Sequence, residues 1–302
     1  MQQLCCIESG QNMKKNLKNS ETLFSYGMTA PTILVLLAMT VYPMIFTGLY
    51  SLTDYNYLKG SRNFIGLKNF SDLFLNQYFR QAVGNTLLFT ICAVILEIGL
   101  GLLIAVFVKS LRHGQKVMRT LLLLPYLLPA VTVSLIWQMM LSPNYGILTH
   151  TIAALGLPVY NWFHDIHTAF AAVLLIDVWQ NVPFVFLLVY AQLQSVPEAQ
   201  YESASIDGAN GFQKFFYITL PNIAGGLSIC IMLRIIDTFR LFEKVNILTG
   251  GGPAGTTATI TQFMYTYGVK SLKFGFASAC AIVMTGFVLV LSSVYIRRAV
   301  KG

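Results

Sequence analysis

Three features of the sequence predict an all-α, polytopic membrane protein with six transmembrane helices. Charged residues make up only 11% of the 302-residue chain and hydrophobic residues 55%, whereas a soluble domain carries about 25% charged residues. The apolar residues are gathered into six runs near the roughly 20 residues that a bilayer requires. The basic residues fall at alternate ends of these runs, as topology signals do. The formal net charge of +8 is therefore spread over several loops and does not form one basic patch with interleaved aromatics, which excludes nucleic acid as a partner. Of the five cysteines, Cys92, Cys230 and Cys280 lie inside apolar runs and Cys5 and Cys6 precede them. None has metal-ligand spacing to a histidine, and no disulfide framework is implied.

Residues 1–27 read as a cytoplasmic N-terminal segment and 28–302 as the six-span domain. The first twelve residues, MQQLCCIESGQN, lack the charged and apolar regions of a cleaved signal. They show neither helical period nor anchor, so they are expected to be dispensable, with Met13 opening a normal leader. Lys14, Lys15 and Lys18 precede span 1 (28–49), which enters from the cytoplasm and is interrupted by Pro31 and Pro43. Residues 51–81 are mixed polar and aromatic and belong outside.

Span 2 (82–108) carries Gly84, Gly99 and Gly101 for close helix approach, and an intramembrane Glu97 with no obvious partner, read first as a structural hydrogen bond in the bundle. The loop that follows holds Lys109, Arg112, Lys116 and Arg119 without an acid, which fixes it inside. Span 3 (120–141) contains Pro125 and Pro129, and the loop to residue 167 has no lysine or arginine. Spans 4 (168–191), 5 (222–239) and 6 (276–296) follow. Arg297, Arg298 and Lys301 close the last one and place both termini in the cytoplasm.

The polar segment 197–221, PEAQYESASIDGANGFQKFFYITLP, separates spans 4 and 5. Pro197 and Glu198 open a short helix, Asp207-Gly208 supplies a turn, and Phe212, Phe215, Phe216 and Ile218 give a second helix an apolar face before Pro221 stops it. Glu202-Ser203-Ala204, Asp207-Gly208-Ala209 and Ile218-Thr219-Leu220-Pro221 resemble the Glu-Ala-Ala loop of the permease subunits of bacterial ABC importers, with Ser203 where the family has Ala. The resemblance implies that Glu202, Ser203, Ala204, Asp207, Gly208 and Phe212 couple this chain to a separate cytoplasmic ATPase. Other stretches are similar to the carbohydrate-uptake branch of that family, the type of the larger maltose permease and of trehalose, raffinose and glycerol-phosphate permeases. They are FIGLKNF after span 1, the LLPYLLP run of span 3, and LTGGGP after span 5.

Within span 4, Asp177, Gln180, Asn181 and Phe184 recur at helical spacing, and so do Arg234, Asp237, Thr238 and Leu241 at the end of span 5, so each helix has one polar face. At about 1.5 Å rise per residue the two faces meet at similar depth. Carboxylates, amides and a guanidinium suit the hydroxyls of a sugar, with Phe184 or Trp179 stacking on its face. The same residues also admit a purely structural reading, with Arg234 paired to Asp177 or Asp237. The resemblance implies a second, homologous permease, two ATPases that carry ATP and magnesium, and an extracytoplasmic substrate-binding protein, all at a bacterial plasma membrane. This chain itself is expected to bind no cofactor and no metal and to do no bond chemistry. The run Gly250-Gly251-Gly252 is not a phosphate loop, because no Gly-Lys pair occurs. An ion-coupled transporter would show a coupling-ion site and an internal repeat, and an intramembrane enzyme a His/Asp/Glu cluster in a span. Neither pattern is present.

Overall fold

The computed structural model describes residues 2–111 and 113–301, with side chains described for 26–111, 113–293 and 297. Among the described residues, thirteen α-helices make up nearly all of the regular structure, and there is no strand beyond two isolated bridges. Among the described residues, five helical segments are long and apolar enough to span a membrane, and a sixth candidate is a bent pair.

Helix α1 (Gln2–Ser51) is helical in its backbone from the start, including the residues expected to lack helical period. Once a helix is nucleated, each added residue gains a hydrogen bond. Its end is locked by the FIGLKNF stretch. Gly66 takes φ +60°, which turns the chain into α2 (Lys68–Leu75). Asn69 on α2 then donates to Ser51 O at 2.8 Å and Thr53 O at 2.7 Å, satisfying carbonyls that the end of a helix leaves open.

Helix α3 (Gln77–Ser110) is capped by Asn76, whose side chain accepts from the Tyr78 and Phe79 amides. Its buried residues include Phe79, Ala82, Thr86, Phe89, Ala93, Glu97, Gly101, Ala105 and Val108, one stripe at three- and four-residue steps. This stripe packs on α7 (Ala169–Ser195), the most buried of the spans. Of the three glycines expected to allow close approach, only Gly101 does. A Cβ there would stand 2.7 Å from Val185 Cβ on α7, while one at Gly84 or Gly99 would meet nothing within 4 Å, because both face outward.

The third span is not one helix. Helices α4 (Gln115–Leu127) and α5 (Ala130–Met140) meet at 92°. Pro129 brings no N–H to continue the ladder, and Leu128 before it is extended at ψ 138°, the conformation that a following proline favours. Helix α6 (Ile147–Ala154) then leads toward α7.

Segment 197–221 begins with α8 (Glu198–Ile206). Gly208 at φ +78° ends it, with the Gly208 amide donating to Ser205 O and the Ala209 amide to Ala204 O, the paired bonds of a Schellman stop. Asn210 and Gln213 form a reciprocal capping box that starts α9 (Gly211–Lys214). Pro221 does not stop this second helix, contrary to expectation. A π-helical turn over Phe215–Thr219 widens the ring ahead of it, the Leu220 amide reaching back to Phe215 O, and the chain continues directly into α10 (Leu220–Phe239). The proline falls in the first positions of α10, where a missing N–H costs little. The turn also splits the apolar face: Phe215 and Ile218 are half-buried, while Phe212 and Phe216 are exposed.

After α10 the chain forms α11 (Glu243–Leu248), which packs on α5, and α12 (Ile260–Tyr265), then a second π turn and α13 (Phe274–Lys301). The α1 span lies against α13 with its apolar side chains largely uncovered.

Candidate functional site

The two polar faces converge on one cavity of about 300 Å³, lined by Tyr126, Ala130, Asp177, Gln180, Asn181, Arg234, Asp237, Thr238, Arg240, Leu241, Glu243 and Lys244. Seven of the eight residues singled out on spans 4 and 5 are therefore together. Phe184 is not among them; it stacks on Tyr126, ring centroids 5.4 Å apart. Trp179 packs edge-on against Trp137 and does not line the cavity either.

The polar atoms are held by defined partners. Arg234 is 2% exposed and donates from Nε to Glu97 Oε2 at 2.7 Å and from Nη2 to Glu97 Oε1 at 3.0 Å, a bidentate pair. Glu97 thus has its partner 137 residues away on α10, and the first candidates for Arg234 are secondary. Its Nη1 donates to Asp237 at 3.0 Å, with the Asp237 side chain 69% exposed, and Asp177 Oδ2 stands 3.9 Å from Nη2. Asp177 is bound instead by Lys244, whose Nζ donates to Oδ1 at 2.5 Å.

Lys244 was missed because it lies past the expected end of span 5, beyond the helical spacing that gathered the other polar residues. The surplus of Glu97, Asp177 and Asp237 over Arg234 within the spans was the available signal. A buried carboxylate in hydrocarbon needs a cation, and Lys244 lies only ten residues beyond Arg234. Asn181 adds a donor to Asp177 Oδ1 at 2.9 Å. Gln180 uses its amide to donate to Leu128 O at 2.8 Å, a carbonyl at the break between α4 and α5, so that residue braces the bend. Thr238 donates to Arg234 O and acts on its own helix. Among the buried side-chain atoms here, Asp177 Oδ2 and Gln180 Oε1 have no hydrogen-bond partner.

Toward the C-terminal end of α7, α8, α9 and the π turn present an exposed group of Ile206, Phe212, Phe216 and Tyr217, with Phe212 79% exposed. Glu202, Ser203, Asp207 and Gly208 are exposed beside them and Ala204 is half-buried. A shallow hollow of about 350 Å³ lies between α8 and the π turn, lined by Ala204, Asp207, Gly208, Lys214 and Tyr217 among others. The unit is tied to the spans by Lys109, which donates to Leu193 O at 2.7 Å and sits 4.8 Å from the Tyr201 ring centroid. Tyr201 in turn meets the Thr219 hydroxyl at 2.9 Å.

A helical bundle that surrounds a charged cavity and carries an exposed helical hook at one end has the form of a membrane transport permease. The chain belongs to the family of binding-protein-dependent transport system inner membrane components, whose model matches residues 97–300, and is a permease subunit of an ABC importer, the ATPase being a separate subunit. It is 34% identical to the trehalose/maltose transport system permease protein MalF of Thermococcus litoralis, over 93% of this chain and 94% of that one. It is 31% identical to the sulfoquinovosyl glycerol transport system permease protein SmoG of Agrobacterium fabrum, over 92% and 90%. It is also 30% identical to the sn-glycerol-3-phosphate transport system permease protein UgpA of Escherichia coli, over 90% and 92%. Among solved structures, a chain of a bacterial ABC transporter involved in the import of the acidic polysaccharide alginate shares its fold at TM-score 0.82 and 24% identity, over 96% of this chain and 99% of that one.

Proposed function

We propose that this subunit translocates an oligosaccharide, or a related polyol, across the plasma membrane by alternating access, together with a second homologous permease, two ATPases and an extracytoplasmic binding protein. The observation that carries the reading is the cavity between α7 and α10. Polar side chains are expensive in hydrocarbon, and a cavity that gathers carboxylates, amides and a guanidinium suits a ligand rich in hydroxyls. Asp177, Gln180, Asn181, Arg234, Asp237, Thr238 and Leu241 are its candidate contacts. Glu202, Ser203, Ala204, Asp207, Gly208 and Phe212, within the loop 197–221, dock on the ATPase, and both termini lie in the cytoplasm. ATP-driven closure of the ATPases moves α8 and α9, and α10 carries that displacement to the cavity wall.

A second reading, transport of a small polar solute such as glycerol phosphate, is supported by the likeness to the sn-glycerol-3-phosphate permease. Purification of the tagged chain from its native membrane should bring an ATPase with it. In the same cells, Asp237→Asn should keep near-normal assembly, because Arg234 retains Glu97, and should shift the order in which di- and trisaccharides compete for uptake. Poor yield with uniform loss for every sugar would return Asp237 to a structural role.

A further inference from the structure

Resting on the reading of α8 and α9 as the dock for the ATPase, we infer that Lys109 is a positioning residue that makes α3 move in step with α10 when the dock is displaced. Lys109 is the last residue but one of α3 and is half-buried. Its Nζ donates to Leu193 O at 2.7 Å and stands 4.8 Å from the centre of the Tyr201 ring. One ammonium thus joins the ends of α3 and α7 to α8.

Each of these contacts has a local cause. In a continuing helix Leu193 O would accept from residue 197, which is a proline without an N–H. The carbonyl is therefore one of those that the end of α7 leaves open, and a lysine at the negative end of a helix supplies both a donor and a favourable charge. Tyr201 turns its ring to the same ammonium, and its hydroxyl meets Thr219 in the π turn at 2.9 Å. Gln115 fastens the backbone beside Lys109. Its Nε2 donates to Lys109 O at 3.3 Å and to Leu111 O at 2.7 Å, and its Oε1 accepts from the Tyr190 hydroxyl on α7 at 3.0 Å. None of the ion pairs among the described residues includes Lys109, so its charge is committed to the carbonyl and the ring.

The hook is attached to two helices at once. Through Tyr201 and Thr219 it holds the foot of α10, fifteen residues or about 22 Å from Arg234. Through Tyr201 and Lys109 it holds the end of α3, twelve residues or about 18 Å from Glu97. Glu97 and Arg234 are the bidentate pair at the cavity, and the two arms that lead to them are of similar length. A displacement delivered to α10 alone would pull this buried pair apart, which is costly. Delivered to both helices, it carries the pair as a unit.

The test uses the purified complex in lipid nanodiscs, with the five native cysteines replaced by alanine. Spin labels are placed by Leu103→Cys on α3 and Ile229→Cys on α10, both exposed positions. Their separation is read by pulsed electron resonance without nucleotide and with a non-hydrolysable ATP analogue. In the otherwise native chain it should hold within about 1 Å, whereas in Lys109→Met the nucleotide should change it by about 2 Å or more, the scale of helix shifts in switching proteins. Lys109→Arg, which keeps the charge and the donors, should restore the native result. Tyr201→Leu should reproduce Lys109→Met and carries the test if the lysine variant does not assemble. A nucleotide shift in the native chain, no shift in either loss variant, or a separation already altered without nucleotide overturns the positioning role. The dock is checked apart, by a label on Ile206→Cys, a position 87% exposed. It should be immobilised with the ATPase bound and regain motion once the ATPase is stripped off by urea. A label that stays mobile throughout overturns the reading of α8 and α9 instead.

Discussion

Replacing Glu97 by Gln tests whether the centre of the bundle is held by the charge of one ion pair. The substitution keeps volume and one acceptor but leaves the Arg234 guanidinium, 2% exposed, without the carboxylate that grips it at 2.7 and 3.0 Å. Removing one partner of a buried pair costs about 3–5 kcal/mol. Two neighbours soften that cost. Asp237 lies 3.0 Å from Nη1 but its side chain is 69% exposed, and Asp177 stands 3.9 Å from Nη2 while bound to Lys244. The lower end, about 3 kcal/mol, is therefore expected, roughly two powers of ten in the folded-to-unfolded ratio. The assay is denaturant-driven unfolding of the purified subunit complex in a fixed detergent. The double variant Glu97→Leu with Arg234→Met removes both charges and should recover most of the loss, since a buried pair exchanged for apolar side chains of similar size is often neutral. A single variant that costs less than about 1 kcal/mol, or a double variant as unstable as the sum of the singles, would refute the argument.

Further outcomes follow from packing and backbone. Gly101→Val should cost about 1–3 kcal/mol through overpacking on Val185, lowering the thermal midpoint, whereas Gly99→Val, which faces outward, should not. Gly208→Val places a β-branched residue at φ +78°, a strain of about 1–2 kcal/mol in an exposed turn. Uptake should be lost while immunoblots show normal membrane insertion, and Glu202→Lys should behave the same way. Lys244→Met should lower the yield of folded complex by leaving Asp177 without its cation, and the added change Asp177→Asn should restore the yield without restoring uptake.

Five of the six expected spans were legible because each is long and apolar and bounded by loops of distinct charge, a local property. The turn at Asp207-Gly208 was legible for a similar reason, since a glycine after a helix that must end has few other uses. Pro125, Pro129 and Pro221 show where local reading fails. All were visible, yet one marks a break of 92° and another is absorbed by a π turn. At the break the Leu128 carbonyl, left outside the helical ladder, is met by the Gln180 amide, a partner 52 residues away that local reading does not supply. At the cavity, the polar residues of α7 and α10 could be placed on faces by helical spacing alone. Their pairing could not, because Glu97 meets Arg234 across 137 residues and Lys244 reaches Asp177 across 67. Phe184 sits on the right heptad face and still turns to Tyr126, a choice between two neighbours that spacing does not contain.

The uninterrupted passage from α9 through the π turn into α10 has a mechanical consequence. From Gly211 to Phe239 no residue leaves the helix, so the exposed foot of the molecule and the guanidinium at the cavity are two points on one stiff rod. A rod of this kind does not compress. Its softest level is the wider ring at Phe215–Thr219 just ahead of Pro221, where the hydrogen-bond ladder is weakest. A push on the foot is therefore converted there into tilt, and Arg234, several turns beyond the fulcrum, sweeps an arc that Glu97 and Asp237 must follow or release.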